Sequence, residues 1–192
     1  MVEASEGQTA GAAGSDEAEL MAVAAECGAD GMAVIDVADI IFRPEFRALC
    51  EANRCGNYDR NWRCPPKAGE IGDLIDGLKK RTRAMVFNHV ARLKNAYDFV
   101  GMTKGGLSFA AVCQRIVEKR PAGFSESVVL GAGPCKVCER CGLLDGEPCR
   151  HPDLAVTSLE ACGVDVSQLA KLSSLKYNAG PGTVTYFGAV FI

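Results

Sequence analysis

Four cysteines in the second half of the chain constrain this sequence more than any other feature. Cys135, Cys138, Cys141 and Cys149 form the pattern C-x2-C-x2-C-x7-C within GPCKVCERCGLLDGEPCRHP, the second cysteine segment (residues 133–152). Two-residue gaps let successive thiolates surround one small inorganic core. Three such cysteines in a row suit a 4Fe–4S cubane, whose ligands bind separate irons. Structural zinc sites usually use paired C-x2-C units separated by a longer loop. The spacing therefore favours an iron–sulfur cluster, with zinc as the alternative.

The fourth cysteine of this pattern is expected to complete the same site. The seven residues that precede Cys149 include Gly142, Gly146 and Pro148, so the chain can fold back locally. Free cysteines are often small buried hydrophobic residues. Four of them among Gly and Pro, however, do not resemble a core strand or helix.

The first cysteine segment (residues 50–66), CEANRCGNYDRNWRCPP, gives a weaker signal. Cys50, Cys55 and Cys64 are spaced C-x4-C-x8-C, and three thiolates make an incomplete set of ligands. A distant residue, water or a substrate would complete it, and the alternative is structural cysteines beside a turn. Because seven thiolates exceed the four that one cubane uses, we expect a second metal or cluster site here. Trp62 is expected to anchor this loop or to shield a cluster from water.

Composition restricts the setting and the partners. The N-terminal residues are acidic and rich in Ala, Gly and Ser, without the basic and apolar regions of a secretory signal, which predicts a cytoplasmic protein. Ten cysteines in a reducing compartment indicate metal binding or redox chemistry and not disulfides. The net charge of −3 argues against nucleic acid as a partner. No apolar run is long enough to span a membrane.

The pattern of apolar residues predicts a single α/β domain over residues 17–192, after a disordered tail at residues 1–16. Helical spacing predicts helices over residues 16–27, 68–80 and 109–117, with shorter ones after Pro44 and near 157–162 and 165–174. Strands are predicted over residues 32–42, 83–90, 126–133 and 183–192. Their alternation predicts a small mixed sheet of about four strands with flanking helices and cysteine-rich loops.

Both cysteine segments together resemble a known family. The pattern C-x-N-Y-x-x-x-W-x-C-P-P, followed by G-x-C-x-x-C-x-x-C and C-R-x-P, is similar to that of a family of predicted metal-binding proteins of unknown function. The resemblance extends over about residues 20–192. It implies that the seven cysteines of the two segments are metal ligands, and it implies no settled activity.

Three functions are consistent with these patterns. The first is an iron–sulfur protein that transfers electrons, or serves as a redox accessory, for a protein partner in an anaerobic enzyme system. The second is an enzyme whose three-cysteine cluster binds substrate at an open iron, and the third is a zinc-stabilised interaction module. Cys27 and Cys113 lie on apolar helix faces and are expected in the core, and Cys162 is not counted as a ligand. His89 is expected to be a packed strand residue, His151 a loop residue, and no Ser/His/Asp set stands out.

Overall fold

The fold is built on one five-stranded sheet, described here from a computed structural model of residues 14–192. The strands are β1 (Gly31–Asp36), β2 (Arg83–Arg92), β3 (Val128–Gly131), β4 (Thr157–Ser158) and β5 (Thr183–Phe191). Their spatial order is β1-β2-β5-β3-β4, and each neighbouring pair is antiparallel except β3 and β4, which run parallel. The predicted α/β class with a mixed sheet is therefore confirmed. The two-residue β4 is the strand that the sequence did not reveal.

Helices cover both faces of this sheet. They are α1 (Ser15–Glu26), α2 (Phe46–Glu51), α3 (Ile71–Lys79), α4 (Phe99–Lys119) and α5 (Val166–Leu172). One core contains α1 and α4 against Met85 and Phe87 of β2, and the other contains α3 and α5 against Ala84 and Val86. Because alternate side chains of a strand point to opposite faces, burial on both sides explains why β2 is almost continuously apolar.

Three predicted elements differ from the structure. The strand predicted over residues 32–42 ends at Asp36, and a 3-10 helix (Val37–Asp39) follows it. Residues 157–162 are not helical throughout, because Thr157 and Ser158 pair with β3 before a short 3-10 helix (Glu160–Cys162). The helix α4 begins ten residues before the predicted Phe109. It includes Gly105, where an added Cβ would lie 2.6 Å from the Cβ of Ala91, so close packing on β2 requires glycine.

The predicted tail lies mostly outside the described residues. Residues 1–13 are not described, and α1 begins at Ser15, where the backbone N–H of Gly14 donates to the Glu17 carboxylate at 2.9 Å. Among residues 14–192, the structure contains no helix with the length and hydropathy needed to cross a bilayer.

The sheet positions both cysteine segments. The second segment belongs to the connection between β3 and the adjacent parallel β4, which pair through Leu130 with Thr157 and Gly131 with Ser158. The first segment begins in α2, and the chain that enters α2 is held by a bridge between Phe42 and Val164. Both segments therefore leave from ordered elements of the scaffold.

Candidate metal centre

The four cysteines of the second segment line a single cavity, the cysteine cavity. Its walls also include Asn61, Trp62 and His151. All four cysteines are half-buried and unpaired. The structure therefore brings together Cys135, Cys138, Cys141 and Cys149 at one concave surface, with Cys149 beside the other three as local closure requires.

Local turns explain why Cys149 returns to this cavity. A 3-10 helix (Gly142–Asp145) follows Cys141 and ends at Gly146, which has a φ of 73°. The backbone N–H of Glu147 then donates to the carbonyl of Gly142 at 2.9 Å. A side chain at Gly142 would place its Cβ 2.7 Å from the Pro148 carbonyl oxygen. Residue 142 must therefore be glycine because there is no space for a side chain, and glycine suits residue 146 because its backbone is left-handed.

Arginine side chains reinforce the same loop. Arg140 donates from Nε to Asp145 at 2.8 Å, and Arg150 donates to Glu147 at 2.6 Å. Arg150 also donates to the main-chain carbonyl of Arg140 at 3.0 Å. Arg150 also lines the cysteine cavity, with its charge paired to Asp145 and Glu147.

Cys135 receives hydrogen bonds from two backbone amides. Burial, the largest effect, raises the pKa of its thiol, while hydrogen bonds from the backbone N–H groups of Val137 and Val156 act in the opposite direction. These two amides favour the thiolate, which is the form that binds a metal. Val137 lies within the second segment, and Val156 immediately precedes β4.

After its first two residues, which end α2, the first segment is a series of turns. Asn53 and Asp59 adopt positive φ angles of 50° and 55°, and the Asn53 side chain accepts a hydrogen bond from Tyr58 N–H at 3.0 Å. The backbone N–H of Cys64 donates to the backbone carbonyl of Asn61 at 3.0 Å. Cys50 and Cys64 are half-buried, whereas Cys55 is exposed. The first segment therefore offers three thiols, of which the Cys55 thiol belongs to an exposed residue.

Three consecutive side chains of the first segment hold the second one, and we call residues 61–63 the clamp. Asn61 Nδ2 donates to the carbonyl of Cys135 at 3.2 Å, Trp62 Nε1 to that of Glu147 at 3.0 Å, and Arg63 to that of Pro152 at 2.6 Å. Asn61 is buried, and its Oδ1 accepts from the backbone N–H of Arg63. The sequence indicated Trp62 as an anchor, but it did not reveal Asn61 or Arg63.

Cys64 lies where the two segments meet. Burial raises the pKa of its thiol to about 12, and the neighbouring thiols of Cys50, Cys55, Cys135 and Cys141 contribute to the same increase. The first and second segments are therefore adjacent in space.

The remaining cysteines lie apart from this region or within the core. Cys27, Cys113 and Cys162 are each at most 2% exposed, and burial raises the pKa of all three thiols. Cys27 and Cys113 pack between α1, α4 and the sheet, as their helical spacing predicted. Cys162 packs in the opposite core.

No single-ion site is preformed within residues 14–192. In that part of the chain, no three His, Cys, Asp or Glu side chains lie close enough to hold one metal ion. His151, expected to be a loop residue, is exposed at the edge of the cysteine cavity. His89 lies in β2 as expected and is 18% exposed, and its ring nitrogens also make polar contacts with Asp30 and Ser108.

Comparison with known families agrees with this arrangement. A family model described as predicted metal-binding protein (DUF2284) matches residues 33–192. The chain belongs to this family. Both cysteine segments and the whole sheet except the first two residues of β1 lie within the match to DUF2284. The family resemblance drawn from the cysteine patterns is thereby confirmed, although α1 lies outside the match. No curated protein and no solved structure matches the chain.

Proposed function

We propose that this protein binds a 4Fe–4S cluster through Cys135, Cys138, Cys141 and Cys149 and transfers electrons for a partner enzyme. The observation that carries the proposal is the convergence of these four thiols on one cavity. When bound, such a cluster supplies one-electron redox chemistry. A protein redox partner is part of the same proposal, as is a role in an anaerobic enzyme system.

The donor set supports a cluster more than a single zinc ion. A zinc ion bound by four thiolates has Zn–S distances of about 2.3 Å, which draws all four sulfurs around one point. The described residues contain no such tight group. A cubane instead takes each thiolate on a different iron, and three cysteines at two-residue spacing followed by Cys149 suit that arrangement.

The surroundings of the cavity suit a redox centre. The backbone N–H groups of Val137 and Val156 donate to the Cys135 sulfur, and hydrogen bonds to sulfur are one means of setting a cluster potential. Trp62 and Ala155 line the cavity and exclude water from part of it. Arg150 lines the cavity and pairs with Asp145 and Glu147, so the loop that carries Cys149 is held in place.

A second candidate function rests on the exposed side of the first segment. Cys50, Cys55 and Cys64 provide three thiols, and Cys55 is exposed to solvent. If these thiols hold their own cluster, one iron would lack a protein ligand and would be accessible to a small molecule. An enzyme that binds substrate at that position is therefore the alternative to a purely electron-transferring protein.

Metal analysis of the full-length protein tests the first proposal. After anaerobic purification we expect about four iron and four acid-labile sulfide per chain for each filled cubane. We also expect a broad visible absorption that bleaches on reduction with dithionite. Stoichiometric zinc with no labile sulfide would establish the zinc-stabilised interaction module instead. A substrate-induced change in the cluster spectrum would support the enzyme over the electron carrier.

A further inference from the structure

A second group of reactive side chains lies away from the cysteines, where β2, α4 and the turn before β1 meet. His89 Nε2 is 3.1 Å from Ser108 Oγ, and His89 Nδ1 is 3.2 Å from Asp30 Oδ2. The sequence did not suggest this group, because the three residues lie on three separate elements. Their order of contacts, hydroxyl to imidazole to carboxylate, is the arrangement that activates a serine nucleophile.

The tautomer of His89 follows from its partners. Nδ1 faces two acceptors, the Asp30 carboxylate and the carbonyl of Gly28 at 3.1 Å, so Nδ1 carries the proton. Nε2 is then free to accept the hydrogen bond that the Ser108 hydroxyl donates. This is the tautomer that a general base for Ser108 requires.

Asp30 is itself held in place. Its Oδ2 accepts a hydrogen bond from the backbone N–H of Val90 at 2.7 Å, and its own N–H donates to the carbonyl of Asn88 at 2.9 Å. The histidine is 18% exposed, whereas the hydroxyl-bearing Ser108 is open to solvent. The base is therefore oriented by a fixed carboxylate, and the nucleophile remains accessible.

The charge of the surrounding groove indicates a ligand class. His89 and Ser108 line an open groove, the basic groove, together with Arg92, Lys94 and Lys104. Of the described residues that line it, Asp98 is the one acid, and its carboxylate accepts from the backbone N–H groups of Lys94 and Gly101. The groove is thus positively charged on a chain of net charge −3. It favours an anionic ligand.

We propose that Ser108 is the nucleophile of a second, metal-independent site that hydrolyses small esters bearing an anionic group. Lys104 and Ser108 are four residues apart on α4 and both line the groove, so the ammonium group is on the same side of the helix as the hydroxyl. Lys104 supplies positive charge that attracts the anionic group of the ester.

The reaction is balanced with water as the co-substrate. Ser108 Oγ forms a bond to the ester carbonyl carbon while its proton moves to His89 Nε2. The bond between that carbon and the alcohol oxygen then breaks, and the alcohol leaves with the proton from His89. Water cleaves the acyl-serine by the same sequence and releases the acid, which restores the Ser108 hydroxyl. Asp30 remains a carboxylate and stabilises the imidazolium.

Two probes test this site on the full-length protein. A fluorophosphonate should label the peptide that contains Ser108, as measured by mass spectrometry, and mono-4-nitrophenyl succinate should be hydrolysed faster than neutral 4-nitrophenyl acetate. Ser108→Ala should abolish the label and lower ester turnover by about 100-fold or more. Asp30→Asn should lower kcat more than it changes KM, because it disturbs the tautomer and not the groove. Lys104→Met should reduce the preference for the succinate ester roughly tenfold.

Thr103→Ala is the matched control. Thr103 is exposed on the same helix and its hydroxyl donates to the carbonyl of Phe99, outside the proposed site. The control should retain labelling and turnover. The proposal is overturned if the parent protein shows neither labelling nor turnover above the denatured protein, or if Ser108→Ala leaves both unchanged. The network would then serve only to join β2, α4 and the turn at Gly28. Neither probe requires bound metal, so failure here is independent of the iron–sulfur proposal.

Discussion

The two cysteine segments differ in how completely each one organises itself. The second segment closes through its own turn, in which Glu147 N–H donates to Gly142 and Cys149 returns to the cavity of the other three cysteines. The first segment supplies three thiols, one of them exposed. It contacts the second segment through the clamp. A segment that closes locally can present a full set of ligands, whereas the other depends on docking.

The scaffold supports the two segments differently as well. The second segment connects two paired strands, β3 and β4. The first is anchored where the chain enters α2. There the backbone N–H of Arg43 donates to the carbonyl of Gly163 at 2.6 Å, and the Arg43 guanidinium donates to the Asp165 carboxylate at 2.7 Å. We therefore expect damage to the second segment to remove most of the metal, and damage to the first to have a partial effect.

The largest effect is expected from Cys138→Ser. Cys138 lines the cysteine cavity, so the loss of one of its four thiols should remove nearly all iron and sulfide of the second-segment cluster. Iron and sulfide analysis, with circular dichroism to verify folding, measures this. Cys113→Ala is the matched control, because Cys113 is 2% exposed in the core and should affect stability but not metal content. Loss of iron from a folded Cys113→Ala protein would contradict the assignment of ligands.

A smaller loss of metal is expected from Cys64→Ser. If Cys50, Cys55 and Cys64 hold a separate site, the substitution should lower the metal content in part and leave the spectrum of the other cluster intact. Cys64 lies near Cys135 and Cys141, so it could also be a ligand of one cluster shared by both segments. In that case the substitution would remove all the iron and not only a part of it. Disappearance of all iron, with folding preserved, would rule out two sites.

The clamp should contribute to stability without supplying a metal ligand. Asn61→Ala removes the donor to the Cys135 carbonyl and the acceptor of Arg63 N–H at a buried position. We expect a loss of about 1–3 kcal/mol in the free energy of unfolding, measured by denaturant titration. Asn57→Ala is the control, since Asn57 donates only within the first segment, to Cys55, and should cost about 0.5 kcal/mol or less. Equal effects of the two substitutions would show that the clamp does not join the segments.

The smallest effect concerns the anchor of the first segment and depends on pH. The Arg43 guanidinium beside Asp165 is the main reason that the pKa of this carboxyl falls to about 2, and hydrogen bonds from Ser167 and Gln168 add to it. Because the folded-state pKa is lower than the unfolded value of about 3.9, this stabilisation is present above pH 4 and is lost as pH falls toward 2.

Asp165→Asn keeps a side-chain oxygen to cap α5 but removes the charge. We expect it to lower stability less than Asn61→Ala does at pH 7, and the difference from the parent protein should narrow between pH 4 and pH 2. Unfolding midpoints measured across this range provide the comparison. A difference that stays constant with pH would show that the ion pair contributes nothing.

The sequence predicted the elements that leave periodic or spaced signals. The C-x2-C-x2-C spacing, the helical stripe of α4 around Phe109 and the apolar run of β2 each reflect local geometry, and each appears in the structure. The predicted start of α4 was too late, because glycine lowers the helix propensity of the residues before Phe109. In the structure, close packing against Ala91 requires glycine at residue 105. Tertiary contact overrode the local preference.

Other features depend on contacts between residues far apart in the chain. Asn61 and Arg63 donate hydrogen bonds to backbone carbonyls 74 and 89 residues away. In the sequence, nothing distinguishes them from any other polar residue in a loop. The contact of His89 with Ser108 and Asp30 likewise depends on the packing of α4 and the turn before β1 on β2. The two-residue β4 is defined by its pairing with β3, since so short a strand has no pattern of its own.

The most direct test of the central claim is the iron and sulfide content of a protein that lacks the whole first set of thiols. In Cys50→Ser/Cys55→Ser/Cys64→Ser, the four thiols of the second segment and its closing turn remain in place. After anaerobic reconstitution we predict about four iron and four sulfide per chain, with the visible spectrum of a 4Fe–4S cluster. A folded triple variant that retains no iron or sulfide would show that the second segment does not hold a cluster by itself, and would contradict the account.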